Sequence, residues 1–354
     1  MVNGRHATSH AVIDSPTADL PSTAEVVIIG GGFAGMATAW ALQQRGVASV
    51  VLERETAPGR YASGRSAGLG RQLAEDDATT RLTVRGAELL RGPLAAAWQP
   101  CGGILSFDQR AAAEDYAARA ARIGVAVERF ERADVLARWP GLEELPIAAA
   151  LWIPSDGVID VRVLLAELAR GVPVICDAGV EKIDIVDDVP RLTTAKGAIT
   201  AKLVVDATGA WAGQLTGDPP LESFKRHVYV LTEEAPHGLP FVWHIGASEL
   251  YVRSDAAGLL VSPCDTTATE AADQQPDALG DAIFEVRFAD TAWAQARIDR
   301  RWACQRAFTP DRQMRLGRDP DRPWLVWAAG LGGHGATAAA GVGEAVALAV
   351  VSAL

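Results

Sequence analysis

Apolar residues first cluster at Val26-Val27-Ile28-Ile29, between Glu25 and a run of glycines, and again at Val50-Val51-Leu52, closed by Glu53. Short unbroken apolar runs bounded by turn residues predict strands buried on both faces. Between them Phe33-Ala-Gly-Met-Ala-Thr-Ala-Trp-Ala-Leu is rich in small helix formers and predicts a helix that begins near Phe33. Strand, glycine turn, helix, strand and acid together make a βαβ nucleotide cradle. Gly30 allows a tight turn, Gly32 a close backbone approach to a pyrophosphate, and Gly35 the packing of helix on strand. The helix start, at Phe33 and Ala34, turns free N–H groups towards phosphate, and Glu53, about 20 residues on, is placed for an adenosine ribose. NAD and FAD both remain open at this point.

Pro58 to Gly70 is too glycine-rich for a helix and reads as a long ordered loop. Helical apolar spacing returns over Thr79 to Leu94 and Gln109 to Gly124, and a short capped helix from Asp134 should stop at Pro140. Leu151 to Asp160 predicts a strand and turn, and Val161 to Gly171 a helix closed by its glycine. Alternating short strands over Val172 to Val205 predict a β-meander that returns to the parallel sheet. Further strands are expected at Tyr229–Thr232, Phe241–His244, Glu249–Arg253 and Gly258–Ser262, then a helix over Ala278–Phe288. The chain ends with a strand at Trp324–Ala328, a glycine loop and an Ala/Val-rich helix. The expected fold is α/β: a discontinuous Rossmann-like domain from 24–95, 150–215 and 300–354, and a smaller α+β substrate domain on an antiparallel sheet from 96–149 and 216–299. Residues 1–23 mix His, Ser, Thr, Asp and Pro, without the apolar core of a signal peptide, and are expected to be a flexible tail.

At 354 residues the chain is long enough for two domains, and its formal charge of −11 disfavours nucleic acid and anionic membrane surfaces as partners. Cys101, Cys176, Cys264 and Cys304 are scattered, so neither a metal site nor a disulfide framework is expected, and a reducing cytoplasm fits best. Trp324 to Gly343 lacks Asp, Glu, Lys and Arg, but its six glycines and His334 suit a buried strand and loop better than a membrane span.

Gly330, Gly332 and Gly335 form a second GxGxxG, yet no strand and acid follow it, so it is read as closing the first site. Glycine-bearing loops spread over the whole chain suit FAD, the longer ligand. From Ala24 to Leu354 the sequence resembles the D-amino-acid oxidase superfamily of FAD enzymes, near glycine oxidase, sarcosine oxidase and D-arginine dehydrogenase. Five blocks carry the resemblance in order. They are Val26-Val-Ile-Ile-Gly-Gly-Gly-Phe-Ala-Gly; Leu52-Glu-Arg with Ser63-Gly-Arg-Ser-Ala-Gly; Val204-Val-Asp-Ala-Thr-Gly-Ala-Trp; Arg306-Ala-Phe-Thr-Pro-Asp; and Gly332-Gly-His-Gly. The resemblance implies that Glu53 and Arg54 hold the adenosine end, that Ser63, Ser66, Ala67 and Gly68 follow the phosphates and flavin, and that Val180 meets adenine through its backbone. Thr208, Gly209 and Trp211 would line the second FAD strand, with Gly332, Gly333, Gly335 and Thr337 near the isoalloxazine ring.

The implied activity is oxidation of an amino acid or amine, with oxygen or another electron acceptor. Arg306 can grip a substrate carboxylate in a bidentate fork and stands where the family has such an arginine. Tyr251 matches a tyrosine whose hydroxyl meets that carboxylate, and His334, between glycines, could donate to flavin or substrate. Tyr61 and His227 stand where relatives place pocket residues. Cys304 matches the cysteine that attaches flavin covalently in sarcosine oxidase, whereas near relatives bind FAD non-covalently; the arginine two residues later favours the non-covalent arrangement. Pro263-Cys-Asp replaces the oxygen-activating lysine of sarcosine oxidase, which leaves oxidase and dehydrogenase both open. A 2-hydroxy-acid dehydrogenase, an aromatic hydroxylase and a non-catalytic flavin-binding subunit are the rival readings; the Ala329-Gly-Leu-Gly-Gly-His block argues against the hydroxylase.

Overall fold

The computed structural model describes residues 19–354 apart from positions 140, 141, 144, 219, 220, 236, 237 and 292. Most of the expected tail and the helix stop at Pro140 therefore lie outside the described residues. In chain order the elements begin with β1 (Thr23–Ile29), α1 (Phe33–Gln43), β2 (Ser49–Leu52), β3 (Leu69–Gly70) and α2 (Asp77–Arg91). Then come β4 (Trp98–Pro100), β5 (Gly103–Phe107), α3 (Arg110–Ile123), β6 (Glu128–Phe130), α4 (Arg132–Arg138), β7 (Ala149–Ile153), β8 (Gly157–Ile159) and α5 (Val161–Ala169). Next are β9 (Val174–Ile175), β10 (Val180–Val186), β11 (Val189–Thr194), β12 (Gly197–Asp206), β13 (Glu222–Leu231), β14 (Phe241–Ile245), β15 (Leu250–Asp255), β16 (Gly258–Ser262) and β17 (Thr267–Thr269). The last are α6 (Ala278–Phe288), β18 (Ile298–Phe308), β19 (Arg315–Arg318), β20 (Leu325–Ala329) and α7 (Gly335–Val351).

The first sheet has a parallel centre, β9-β2-β1-β12-β20, extended by the antiparallel hairpin β10-β11 and edged by β19. Its central strands are apolar without alternation because helices cover one face and the meander the other. The turn after β1 is built for close approach. Gly30 has φ +105°, and a Cβ there would stand 2.6 Å from the Ala207 carbonyl oxygen. A Cβ on Gly35 would reach 1.9 Å from the Gly30 carbonyl oxygen, so the first turn of α1 lies directly on the strand end.

The second sheet runs β17-β13-β16-β15-β14-β5-β7-β6, with β18 on the other side of β13, and is antiparallel except where β14 meets β5. One face buries Leu105, Phe107, Val228, Trp243 and Tyr251, and the other buries Ile104, Tyr229, Val242 and Val252. Sheet membership cuts across the division expected from sequence: β7 and β18 belong here, although that division places 150–215 and 300–354 in the nucleotide part. Thr23, expected in the tail, is already in β1. Asp134 is not the cap of α4 but its third residue, in a reciprocal capping box with Glu131. Among the described residues no helix is long and apolar enough to cross a membrane, and no metal-holding cluster of His, Cys, Asp and Glu occurs.

Candidate active site

A cavity of about 510 Å³ runs from the carboxyl ends of β1 and β2 to one face of the second sheet. That is where open α/β sheets hold their ligands. The first sheet contributes Gly30, Gly32, Phe33, Ala34, Glu53, Arg54, Val180, Thr208, Gly209 and Trp211 to its wall. The loop after β2 adds Tyr61, Ser63, Ser66, Ala67 and Gly68, and the loop before α7 adds Gly332, Gly333 and Gly335. Arg306 and Tyr251 line the far end. Thus residues separated by nearly the whole sequence meet at one cavity.

The β2 end is polar and organised. Glu53 is buried, and its carboxylate accepts from Gly31 N at 2.7 Å and Glu55 N at 2.9 Å. Burial nevertheless outweighs these two donors and raises its pKa. Each oxygen keeps a lone pair for a ribose hydroxyl. The Arg54 guanidinium lies 4.4 Å from the Trp211 ring centre and 5.2 Å from that of Tyr61, and the two rings are 5.0 Å apart. Ser63 Oγ accepts from Phe33 N at 2.9 Å and so ties the loop to the start of α1. Thr208 donates through N and Oγ1 to Asp206 at 3.0 and 2.6 Å, which fixes the turn after β12.

The other end is set by the second sheet. Register places Arg226 of β13 opposite Cys304 of β18, with Arg306 two residues further on the same face. Trp243 and Tyr251 are opposite each other on β14 and β15, ring centres 5.1 Å apart. Tyr251 is buried, and desolvation pushes its phenol well above the ordinary range, so it is a neutral donor. Arg306 Nη2 donates to the Gly332 carbonyl at 3.3 Å, while its buried Nε has no partner. Arg226, 3% exposed, donates through Nε to the Asp265 carbonyl at 3.1 Å. Burial pushes the Cys304 thiol up to about 11.

Three expected residues stand elsewhere. The His334 ring is turned to Glu75, Nε2 to Oε2 at 2.8 Å, and is not part of the cavity wall. Thr337 is buried in α7, its hydroxyl donating to Leu69 O at 3.0 Å. His227 points to the opposite face of β13 from Arg226 and is held by Asp265, Nδ1 to Oδ2 at 2.8 Å, and by Asp277 N. Among the additions to the expected set, Arg226 and Trp243 stand at the Arg306 end of the cavity and Arg60 lies on the loop after β2. Lys225-Arg226-His227 is the only sequence signal for Arg226, and it reads as a solvated charge cluster.

The residues present fit FAD: a turn without room for a Cβ at Gly30, a buried acid at the β2 end, and a wall that continues across both sheets. Comparison with known proteins agrees. Human mitochondrial sarcosine dehydrogenase is 28% identical over 378 residues, 95% of this chain but only 40% of that protein. Monomeric sarcosine oxidase of Bacillus sp. (strain B-0618) is 25% identical over 355 residues, 90% of each chain. The structure of L-proline dehydrogenase from P. horikoshii superposes with a TM-score of 0.84 at 24% identity, covering 93% of both chains. The chain thus spans about 40% of the length of the sarcosine dehydrogenases it matches. Residues 25–349 match the sequence model of the FAD dependent oxidoreductases, and the chain belongs to that family.

Proposed function

We propose that the protein oxidises the C–N bond of an amino acid or secondary amine to an imine, which water converts to a carbonyl acid and the free amine. The observation that carries this reading is the Arg306 guanidinium, placed in the cavity wall with an unpartnered Nε and no carboxylate among the described residues to neutralise it. Arg306 is partly buried and has no ion-pair partner among the described residues, so a substrate carboxylate can supply the missing charge through a two-point contact. Tyr251, neutral and buried, donates a further hydrogen bond to that carboxylate. FAD, when bound, would supply the two-electron acceptor for the hydride that leaves the substrate carbon. What the chain itself supplies is orientation. Acidic side chains are absent from the wall except Glu53 at the β2 end, so the site holds the amine in its neutral, oxidisable form. Sarcosine, named in two of the relatives, is such a secondary amine.

His334 has no part in this reading, because its ring serves Glu75. FAD is held without a covalent bond, since the Cys304 thiol is far from ionising at neutral pH. The electron acceptor is oxygen or another acceptor, and oxygen uptake during turnover separates them. The test of the reaction is anaerobic mixing of the purified flavoprotein with D- and L-amino acids, N-methyl amino acids and 2-hydroxy acids. Bleaching of the flavin by amines and not by hydroxy acids is the expected result. Bleaching by hydroxy acids alone, or by none, overturns the proposal.

A further inference from the structure

Charge at the substrate end does not balance with one carboxylate. Four arginines line the cavity: Arg54, Arg60, Arg226 and Arg306. Arg54 and Arg60 are paired with Glu55, and Arg60 also with Asp273. Neither Arg226 nor Arg306 has an ion-pair partner among the described residues, although Arg226 is 3% exposed. Other deeply buried arginines do have one: Arg65 pairs with Asp273 and Arg71 with Glu75. The Asp265 carboxylate, closest in sequence to the Arg226 contact, is taken by His227 N at 2.7 Å and Nδ1 at 2.8 Å; only its backbone carbonyl meets Arg226. The end of the cavity near the second sheet therefore presents a buried and a partly buried guanidinium with no acid in its wall, Asp265 and Glu249 acting on Arg226 only from outside that wall.

Register gives their spacing. Arg226 faces Cys304, and Arg306 is the diagonal neighbour on the same face, so their Cβ atoms are roughly 7 Å apart. Arg306 is further anchored at the Gly332 carbonyl, on the side of the loop before α7, and Arg226 at the Asp265 carbonyl, on the side of the turn after β16. These anchors hold the two guanidiniums to different walls. Two fixed forks at that separation match two anionic groups of one small molecule better than two oxygens of one carboxylate.

Resting on the reaction proposed above, we infer that the substrate is doubly anionic: an amino dicarboxylate, or a secondary amine bearing a carboxylate on each arm. Arg306 and Tyr251 take the carboxylate beside the reacting carbon, and Arg226 takes the second. A substrate with a cationic side chain is excluded by the same two charges.

The test pairs binding with turnover. Malonate and succinate should raise the thermal midpoint of the holoprotein more than propionate at equal ionic strength. Aspartate, glutamate or iminodiacetate should reduce the flavin with kcat/KM at least tenfold above glycine, sarcosine and alanine, and lysine should fall below these. Arg226→Met should cut the dicarboxylate-to-monocarboxylate ratio tenfold or more, mainly through KM, and Arg226→Lys should restore part of it. Flavin absorbance and thermal midpoint identify a variant that simply fails to fold, in which case the wild-type panel and the anion shifts decide alone. Equal kcat/KM for the two substrate groups, or an equal loss for both in Arg226→Met, overturns the inference and places both arginines on one carboxylate. Preferred turnover of lysine overturns it as well. If no amine bleaches the flavin but succinate still binds selectively over propionate, the reaction fails and the doubly anionic ligand stands.

Discussion

Arg306 and Cys304 are two residues apart on one face of β18, but Cys304 is buried and Arg306 only partly so, and the site affects their charges in opposite ways. A guanidinium stays charged in any protein environment, so Arg306, partly buried and without an ion-pair partner among the described residues, is an anion site. A thiol loses its charged form instead, and Cys304, pushed up to about 11, stays protonated at neutral pH despite the nearby Arg226. Replacing Arg306 by Met should lower kcat/KM for the substrate roughly 10- to 100-fold, mostly as a higher KM, since a charge-assisted bidentate contact is lost. Steady-state kinetics on protein with an unchanged flavin spectrum checks this, and a loss confined to kcat would contradict a binding role. For Cys304 the expectation is that acid precipitation leaves all the flavin in the supernatant. A yellow pellet, or a fluorescent band on a denaturing gel, would show attachment after all.

At the scale of elements, what is legible in the sequence depends on whether the chain's neighbours are local. The unit β1-α1-β2 can be read because its strands are continuous apolar runs and its glycines sit at fixed offsets. Helix α6 is equally legible, and observation places it at the expected Ala278–Phe288. Strand β13 is visible in the sequence only from Tyr229, because Glu222, Lys225, Arg226 and His227 in its first half look like a solvated segment. Strand β18 is missed altogether: its first four residues are exposed, and it is specified by pairing with β13, about 75 residues earlier. Strand β5, Gly103–Phe107, is buried at every position and shows no alternation, and its parallel partner β14 is still further away in sequence, with Phe241 opposite Gly103. Arg226 is invisible for this reason, since only the β13–β18 register brings it beside Arg306. The helices carry their own prediction. Helices α2 and α7 cross so closely that a Cβ on Gly86 would stand 1.9 Å from the Thr337 carbonyl oxygen. Gly86→Ala must therefore push α2 away from α7, which should cost about 1–3 kcal/mol of unfolding free energy by overpacking. Urea unfolding of the purified variant measures it, and an unchanged midpoint would mean that the helices slide apart freely.

At the scale of the whole molecule, Asp156, in the turn between β7 and β8, gives the protein a pH dependence of unusual sign. Its backbone carbonyl accepts from Gly102 N at 3.0 Å, and its Oδ1 accepts from Gln72 N at 3.1 Å and Gln72 Nε2 at 2.8 Å. Asp156 thereby ties the loop before α2 to the entry of β5, while Oδ2 is buried without a partner. The side chain is fully buried, and desolvation raises its pKa from the ordinary 3.8 to about 7, against the pull of Gln72. In the unfolded chain the group loses its proton near pH 4, whereas the folded protein keeps it until about pH 7. Between those values the folded state binds more protons, so rising pH removes stability, by up to about 1.4 kcal/mol per pH unit for one such group. Asp218 and Asp319, held by Arg322 at 2.8 Å, act in the other direction, because their lowered values protect stability until the pH falls below the ordinary carboxylate range. The two effects occupy different windows and can be separated. Asp156→Asn removes the first and leaves the second, so wild type minus variant stability should fall by a few kcal/mol, on the order of 3, between pH 4.5 and 7.5, and stay level above that. Urea midpoints of both proteins at pH 4.5, 6, 7.5 and 8.5 give this difference directly. A difference that is constant across the series would mean that Asp156 is ionised in the folded protein throughout, with its charge met by a group other than Gln72.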